Sequence, residues 1–144
     1  MLGPGTMAFE KLAKSIQNRT QFGQEIEHKA AAWLDAEPGW RKLGQNFRTK
    51  AGELDLIYEH RRRVETPQGL RVRLELVFVE VRARAPDGIV TGFESVGEGK
   101  RQKLVLAARA YLSRYRGRAV AVRFDVVDWN GRRFERLENA FFMG

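Results

Sequence analysis

The chain has 144 residues, 43% hydrophobic and 31% charged, a balance that supports one globular body with a real core and a heavily solvated surface. Lys and Arg outnumber Asp and Glu by 26 to 18, giving a net charge of +8, and cysteine is absent, which excludes disulfides and thiolate metal sites. No run approaches the ~20 apolar residues of a membrane span, and no charged segment followed by an apolar one opens the chain, so a cytoplasmic protein with no membrane partner is expected.

Residues 1–21 mix polar and small side chains and read as a flexible extension with a short helical piece, ahead of a single domain over 22–144. Phe22, Ile26, Ala30, Trp33 and Leu34 recur at helical spacing, and Pro38-Gly39 stops that helix. Trp40 to Arg48 reads as a strand that turns near Lys50-Ala51-Gly52 into a second strand, Glu53 to Tyr58. Arg61-Arg62-Arg63, between Glu59 and Glu65, reads as a solvated hairpin tip, and Pro67-Gln68-Gly69 leads into a long strand from Leu70 to Arg82. That strand alternates apolar and charged residues up to Leu76, then turns apolar on both faces to Val81, as in a sheet centre covered on both sides. A Gly-rich loop precedes a helix from about Lys100 to Tyr115 whose stripe is Leu104, Ala108, Tyr111, Leu112 and Tyr115. Val120 to Trp129 is a further strand, and Asn130-Gly131 signals a hairpin into Phe134 to Leu137. Strand, helix and strand between Val77 and Val127 imply a right-handed parallel crossover. The fold class is α/β, a mixed central sheet flanked by helices.

Two strands place carboxylates inside apolar runs, where an unpaired charge is costly to bury. Strand alternation puts Glu53 and Asp55 on one face of the first, and Phe78, Glu80 and Arg82 on one face of the second. With these strands adjacent, Asp55 and Glu80 converge beside Arg82. Two carboxylates and a cation suit a divalent ion that activates water against a phosphodiester. Hard oxygen ligands favour Mg²⁺ or Mn²⁺ over zinc, because His28 and His60 have no metal-ligand spacing. The competing reading pairs each carboxylate with one of the many arginines. Lys100, Arg101 and Lys103 open the second helix, where main-chain amides attract phosphate, and with Arg84 they form a candidate DNA-backbone contact; an ordinary charged helix face is the bland reading. Arg123 and Asp125 share a face and read as a buried structural ion pair.

These residues also carry a resemblance. Glu27, Ala30-Ala31-Ala32-Trp33-Leu34, Asn46-Phe47-Arg48, Gly52-Glu53-Leu54-Asp55-Leu56-Ile57, Phe78-Val79-Glu80-Val81-Arg82-Ala83-Arg84, Lys100 to Lys103, Arg123 to Val127 and Asn139-Ala140-Phe141 follow, in order, the pattern of the bacterial YraN family. That family resembles Holliday-junction resolvases of the PD-(D/E)xK superfamily. The resemblance implies a restriction-endonuclease-like core, a DNA substrate that includes branched forms, and a helix glutamate, Glu27, completing the acidic cluster. It expects lysine where this chain has Arg82. Arginine stays charged and cannot act as a general base, yet it can hold a phosphate oxygen bidentately. The functional expectation is therefore metal-dependent hydrolysis of DNA, with catalytic Glu27, Asp55, Glu80 and Arg82, metal-holding Asp55 and Glu80, and nucleic-acid contacts from Arg82, Arg84, Lys100, Arg101 and Lys103. Two rivals stand beside it: a non-catalytic nucleic-acid-binding module, and a protein-interaction subunit that docks through a sheet edge or Phe141-Phe142. A homodimer is compatible with all three.

Overall fold

Apolar alternation builds five strands that lie side by side in chain order: β1 (Trp40–Arg48), β2 (Glu53–Thr66), β3 (Gly69–Ala83), β4 (Ala121–Trp129) and β5 (Phe134–Phe141). The computed structural model describes residues 4–83 and 97–141, and two helices among them, α1 (Pro4–Asp35) and α2 (Glu98–Leu112), cover the sheet. β3 and β4 are parallel and joined through α2, while every other neighbouring pair is antiparallel. This is the mixed α/β sheet expected, consistent with a restriction-endonuclease-like core.

The two faces of β3 explain why the strand is apolar throughout its middle. Leu76 and Phe78 join Leu104, Ala107, Ala108, Phe124 and Val126 in a cluster under α2. Val77 and Val79 join Ala30, Ala31, Leu34, Tyr58 and Val127 in a cluster under α1. Burying a Val, Leu or Phe stabilises by about 1.5–3 kcal/mol relative to exposure, so these two clusters fix which strand sits at the centre. Turns close where the backbone needs them. Gly39, with φ +85°, follows α1, and a Cβ there would meet the Arg61 carbonyl at 2.9 Å. The Asn130 side chain accepts the amides of Arg132 and Arg133 at 2.9 and 3.0 Å, holding the β4–β5 hairpin that the Asn-Gly pair predicts.

Three boundaries differ from the sequence reading. Helix α1 starts at Pro4, well before Phe22. Proline is tolerated in a first helical turn and good helix formers follow it, so propensity carries the helix through a stretch where Phe9 and Leu12 are exposed. Among the α1 residues whose side chains are described, Ile26 is the first that is buried, and Phe22 is itself exposed. Strand β2 runs on to Thr66, so Arg61, Arg62 and Arg63 lie within the β2–β3 ladder rather than at its tip. Arg62 is held there by Glu75 at 3.6 Å and Glu138 at 3.3 Å. Helix α2 ends at Leu112, and Tyr115 packs beside the core from beyond it.

The Arg123–Asp125 pair is structural, as read. Arg123 is 2% exposed and donates to both oxygens of Asp125 at 2.8 and 3.0 Å, to Glu75 Oε1 at 2.7 Å, and lies 3.2 Å from His60 Nδ1. Arg136 adds a contact to Asp125 Oδ2 at 3.2 Å, and Trp40 packs against both guanidinium groups. Removing Arg123 takes the shortest ion pairs from Glu75 and Asp125 and leaves them their longer contacts with Arg62, Arg73 and Arg136; breaking a buried pair from one side costs about 3–5 kcal/mol. Arg123→Ala is expected to lower unfolding free energy by about that amount in urea titration; a loss under about 1 kcal/mol would show that the network contributes nothing net.

Candidate active site at the fork of the sheet

The β2–β3 ladder stops at Leu56↔Val79, although both strands continue. Beyond that point β2 stays paired with β1 as far as Arg48↔Glu53, while β3 stays paired with β4 as far as Ala83↔Trp129. The sheet therefore forks, and Asp55 sits in the fork. Its Oδ2 accepts the main-chain N–H of Val81 at 2.9 Å, so a side chain supplies the bond that a neighbouring strand would otherwise make. Alternation in β2 breaks at the same residue. Leu54 packs in the cluster under α2 and Leu56 in the cluster under α1, although residues two apart on a regular strand share a face. That twist lets Asp55 turn toward β3.

Glu80, 6% exposed, lies beside Asp55 at the fork, near enough for its charge to act on that carboxyl. Burial, then the charge of Glu80, pushes Asp55 up to about 8 from an ordinary 3.8, against the opposing pull of the Val81 N–H. Glu27 reaches the group from α1; burial and then the charges of Glu53 and Glu80 raise its carboxyl too. The Asn46 amide, oriented to satisfy both neighbours, donates to Glu27 Oε2 at 3.1 Å and to Glu53 Oε1 at 3.0 Å. Asn46 itself holds φ +52°, a left-handed conformation that asparagine tolerates better than most residues.

Positive charge arrives from two elements. Lys100 Nζ lies 2.7 Å from Glu80 Oε1, and Arg82 Nη2 lies 3.6 Å from the same oxygen. Nε and Nη2 of Arg82 are buried and make no hydrogen bond among the described residues. Of the residues expected at the site, Glu27, Asp55, Glu80 and Arg82 do come together. Lys100 joins them, whereas Arg101 stacks its guanidinium over Phe141 at 5.7 Å and Lys103 is exposed, its backbone close against Gly52. Arg84 lies outside the described residues.

Asp128 escaped the sequence reading. It is 1% exposed and stands opposite Arg82 across the parallel β3–β4 pair, on the face shared with Phe124 and Val126. A carboxylate ending the apolar run Val126-Val127 was its signal, at the carboxyl end of a parallel strand, where α/β sheets place ligands.

The donors fit a hard divalent cation. Asp55 and Glu80 offer carboxylate oxygens; burial and the charge of Glu80 favour a proton on Asp55, and a cation would replace it. Among the described residues no group of three His, Cys, Asp or Glu side chains is set to hold an ion, so water and a phosphate oxygen would have to complete the coordination.

Residues 26–128, from the buried part of α1 through Asp128, match the model of the uncharacterised protein family UPF0102. The chain belongs to that family. UPF0102 is the YraN family whose motifs the sequence carries, and its match spans Glu27, Asp55, Glu80, Arg82, Lys100 and Asp128. A UPF0102 protein of Halorhodospira halophila is 40% identical over 121 residues, 84% of this chain and 87% of its own length. One of Hahella chejuensis is 35% identical over 124 residues, 86% of each chain. One of Cupriavidus taiwanensis is 37% identical over 130 residues, 89% of each.

The raised Asp55 carboxyl makes stability depend on pH in a stated direction. Between the ordinary value and the folded one, the unfolded chain has released this proton while the folded chain keeps it, so stability falls as pH rises. In chelator, Asp55→Asn is expected to be more stable than the parent by about 1–3 kcal/mol at about pH 8 and nearly equal at about pH 4. Urea unfolding at both pH values checks this, and a constant difference would remove Asp55 as the titrating group.

Proposed function

We propose that this UPF0102 protein hydrolyses phosphodiester bonds of DNA with Mg²⁺ or Mn²⁺, branched DNA being the substrate form its family resemblance points to. The observation that carries the reading is the fork. It sets two buried carboxylates, Asp55 and Glu80, near enough for the charge of one to raise the other, while Arg82 Nε and Nη2 make no hydrogen bond among the described residues. A structural ion pair does not need that arrangement, as the saturated Arg123 network in the same sheet illustrates.

Asp55 and Glu80 would hold the ion. When bound, the ion supplies positive charge to the scissile phosphate and acidifies an attacking water. Arg82, held beside Glu80, would place its fixed positive charge near the phosphate and stabilise the charge that grows as a new P–O bond forms and the ester P–O bond breaks. It remains protonated throughout, so it positions and neutralises; the water's proton passes to bulk solvent, and solvent protonates the departing ester oxygen. The Val81 amide fixes the Asp55 carboxyl, which would keep it in place for the ion while substrate comes and goes. A net charge of +8 supports attraction of a polyanion.

A second reading, a nucleic-acid-binding module without turnover, is favoured by one feature: a guanidinium at position 82, where the superfamily pattern has an ammonium. Single-turnover assays on labelled junction, flap and single-stranded DNA with Mg²⁺ or Mn²⁺ separate the two. The parent is expected to cleave, Glu80→Gln to be silent, and Arg82→Ala to lose about 10²-fold or more. Equal cleavage by the parent and Glu80→Gln would mean a contaminating nuclease, and no cleavage of any substrate by the parent would leave the binding module.

A further inference from the structure

The ammonium that the site lacks on β3 is present on α2. Lys100 is the third residue of that helix, and its Nζ makes the shortest ion pair at the fork, 2.7 Å from Glu80 Oε1, against 3.6 Å for Arg82 Nη2. The two cations differ in freedom. The Arg82 side chain is 23% exposed and its inner nitrogens are buried, so the guanidinium is wedged in place. Lys100 is 43% exposed and ends an unbranched stem, so its head can move between partners without disturbing the core. Its location also runs against local helix electrostatics. A cation in the first turn opposes the positive end of the helix, so the contact with Glu80 must supply what the helix does not. Gly97, the N-cap of α2, offers no side-chain bond to that turn.

We propose that Lys100 is the mobile ammonium of the site: it neutralises Glu80 while no metal is bound, and it releases Glu80 to the divalent cation and moves to the scissile phosphate when substrate arrives. This deepens the hydrolytic reading above and rests on it for the second half of the exchange. The exchange is one of counter-charges. Glu80 trades an ammonium for a divalent ion, and the ammonium trades a carboxylate for a phosphate oxygen, so no charge is left buried alone at either stage. Arg82 keeps its place beside Glu80 in both. The family's expected lysine is then not missing from this chain; its charge is delivered from α2.

The exchange has a signature that a plain DNA-backbone contact lacks. Lys100 competes with metal for Glu80, so its removal strengthens metal binding while weakening turnover. In calorimetry without DNA, Lys100→Gln is expected to bind Mn²⁺ about three- to tenfold more tightly than the parent, since a like charge a few ångströms away has been removed. Lys11→Gln, which removes the same charge from an exposed turn of α1, is expected to bind as the parent does. In single-turnover cleavage with saturating Mn²⁺, Lys100→Gln is expected to lose at least about tenfold, and Lys100→Arg to recover part of it. Unchanged or weaker Mn²⁺ binding by Lys100→Gln, with the parent cleaving DNA, overturns the lysine's role and leaves the hydrolytic reading standing. Tighter Mn²⁺ binding by Lys100→Gln, with a parent that cleaves nothing, supports the counter-charge and overturns the move to phosphate together with the hydrolytic reading.

Discussion

One hydrogen bond organises the forked end of the sheet: the Val81 N–H given to the Asp55 carboxylate instead of to a strand. A main-chain amide at a buried strand end must find an acceptor, and if β2 supplied its own carbonyl the two strands would stay zipped. Asp55 meets the demand with a side chain, so the ladder can end at Leu56↔Val79 while both strands continue in different company. The opening exposes the interior of the sheet at one place, where Glu80 from β3, Glu27 from α1 and Lys100 from α2 all reach. Loss of that acceptor would either close the fork or leave a buried donor unmet.

The contrast between the two charged clusters gives this opening its meaning. At the Arg123 cluster, Glu75 and Asp125 are met by Arg123, Arg136, Arg62 and Arg73, and the pairs are bidentate or shared. At the fork, among the described residues, Asp55 has a main-chain amide and a second carboxyl for neighbours, and Glu80 is met by an exposed lysine and, at longer range, an arginine. A chain carrying 26 basic residues has no shortage of cations to place there. Carboxylates held together under such conditions destabilise the fold at neutral pH, and a bound divalent ion relieves that strain. Under-neutralisation, rather than the mere presence of acidic residues, is what distinguishes the fork from a structural ion pair.

Much of this was legible before any coordinates. The change in β3 from alternating to uniformly apolar placed it at the sheet centre, and Glu80 stood out because it follows that run. The strand–helix–strand order between Val77 and Val127 gave the parallel pair. What stayed hidden depends on contacts that no local pattern records. Regular alternation puts Leu54 and Leu56 on one face, and only the divergence of β2 from β3 sends them to opposite clusters. The triple arginine looked like a solvated tip because the partners of its middle residue, Arg62, are Glu75 and Glu138 from other strands, while Arg61 and Arg63 are indeed exposed. Lys100 looked like one of three equivalent surface cations, since nothing in the run from Lys100 to Lys103 shows which one faces Glu80. Asp128 was passed over because its counterpart, Arg82, lies 46 residues away and becomes its neighbour only through the parallel register. The extent of α1 was missed because helix propensity, without burial, leaves no apolar stripe to read.

The account turns on the fork being a cation site. Anomalous diffraction from crystals grown with Mn²⁺ and a short DNA duplex addresses this directly. The structure predicts a manganese peak within coordination distance of both the Asp55 and Glu80 carboxylates, with the Lys100 ammonium displaced from Glu80. A map with no manganese at the fork and the Lys100–Glu80 ion pair intact would contradict it.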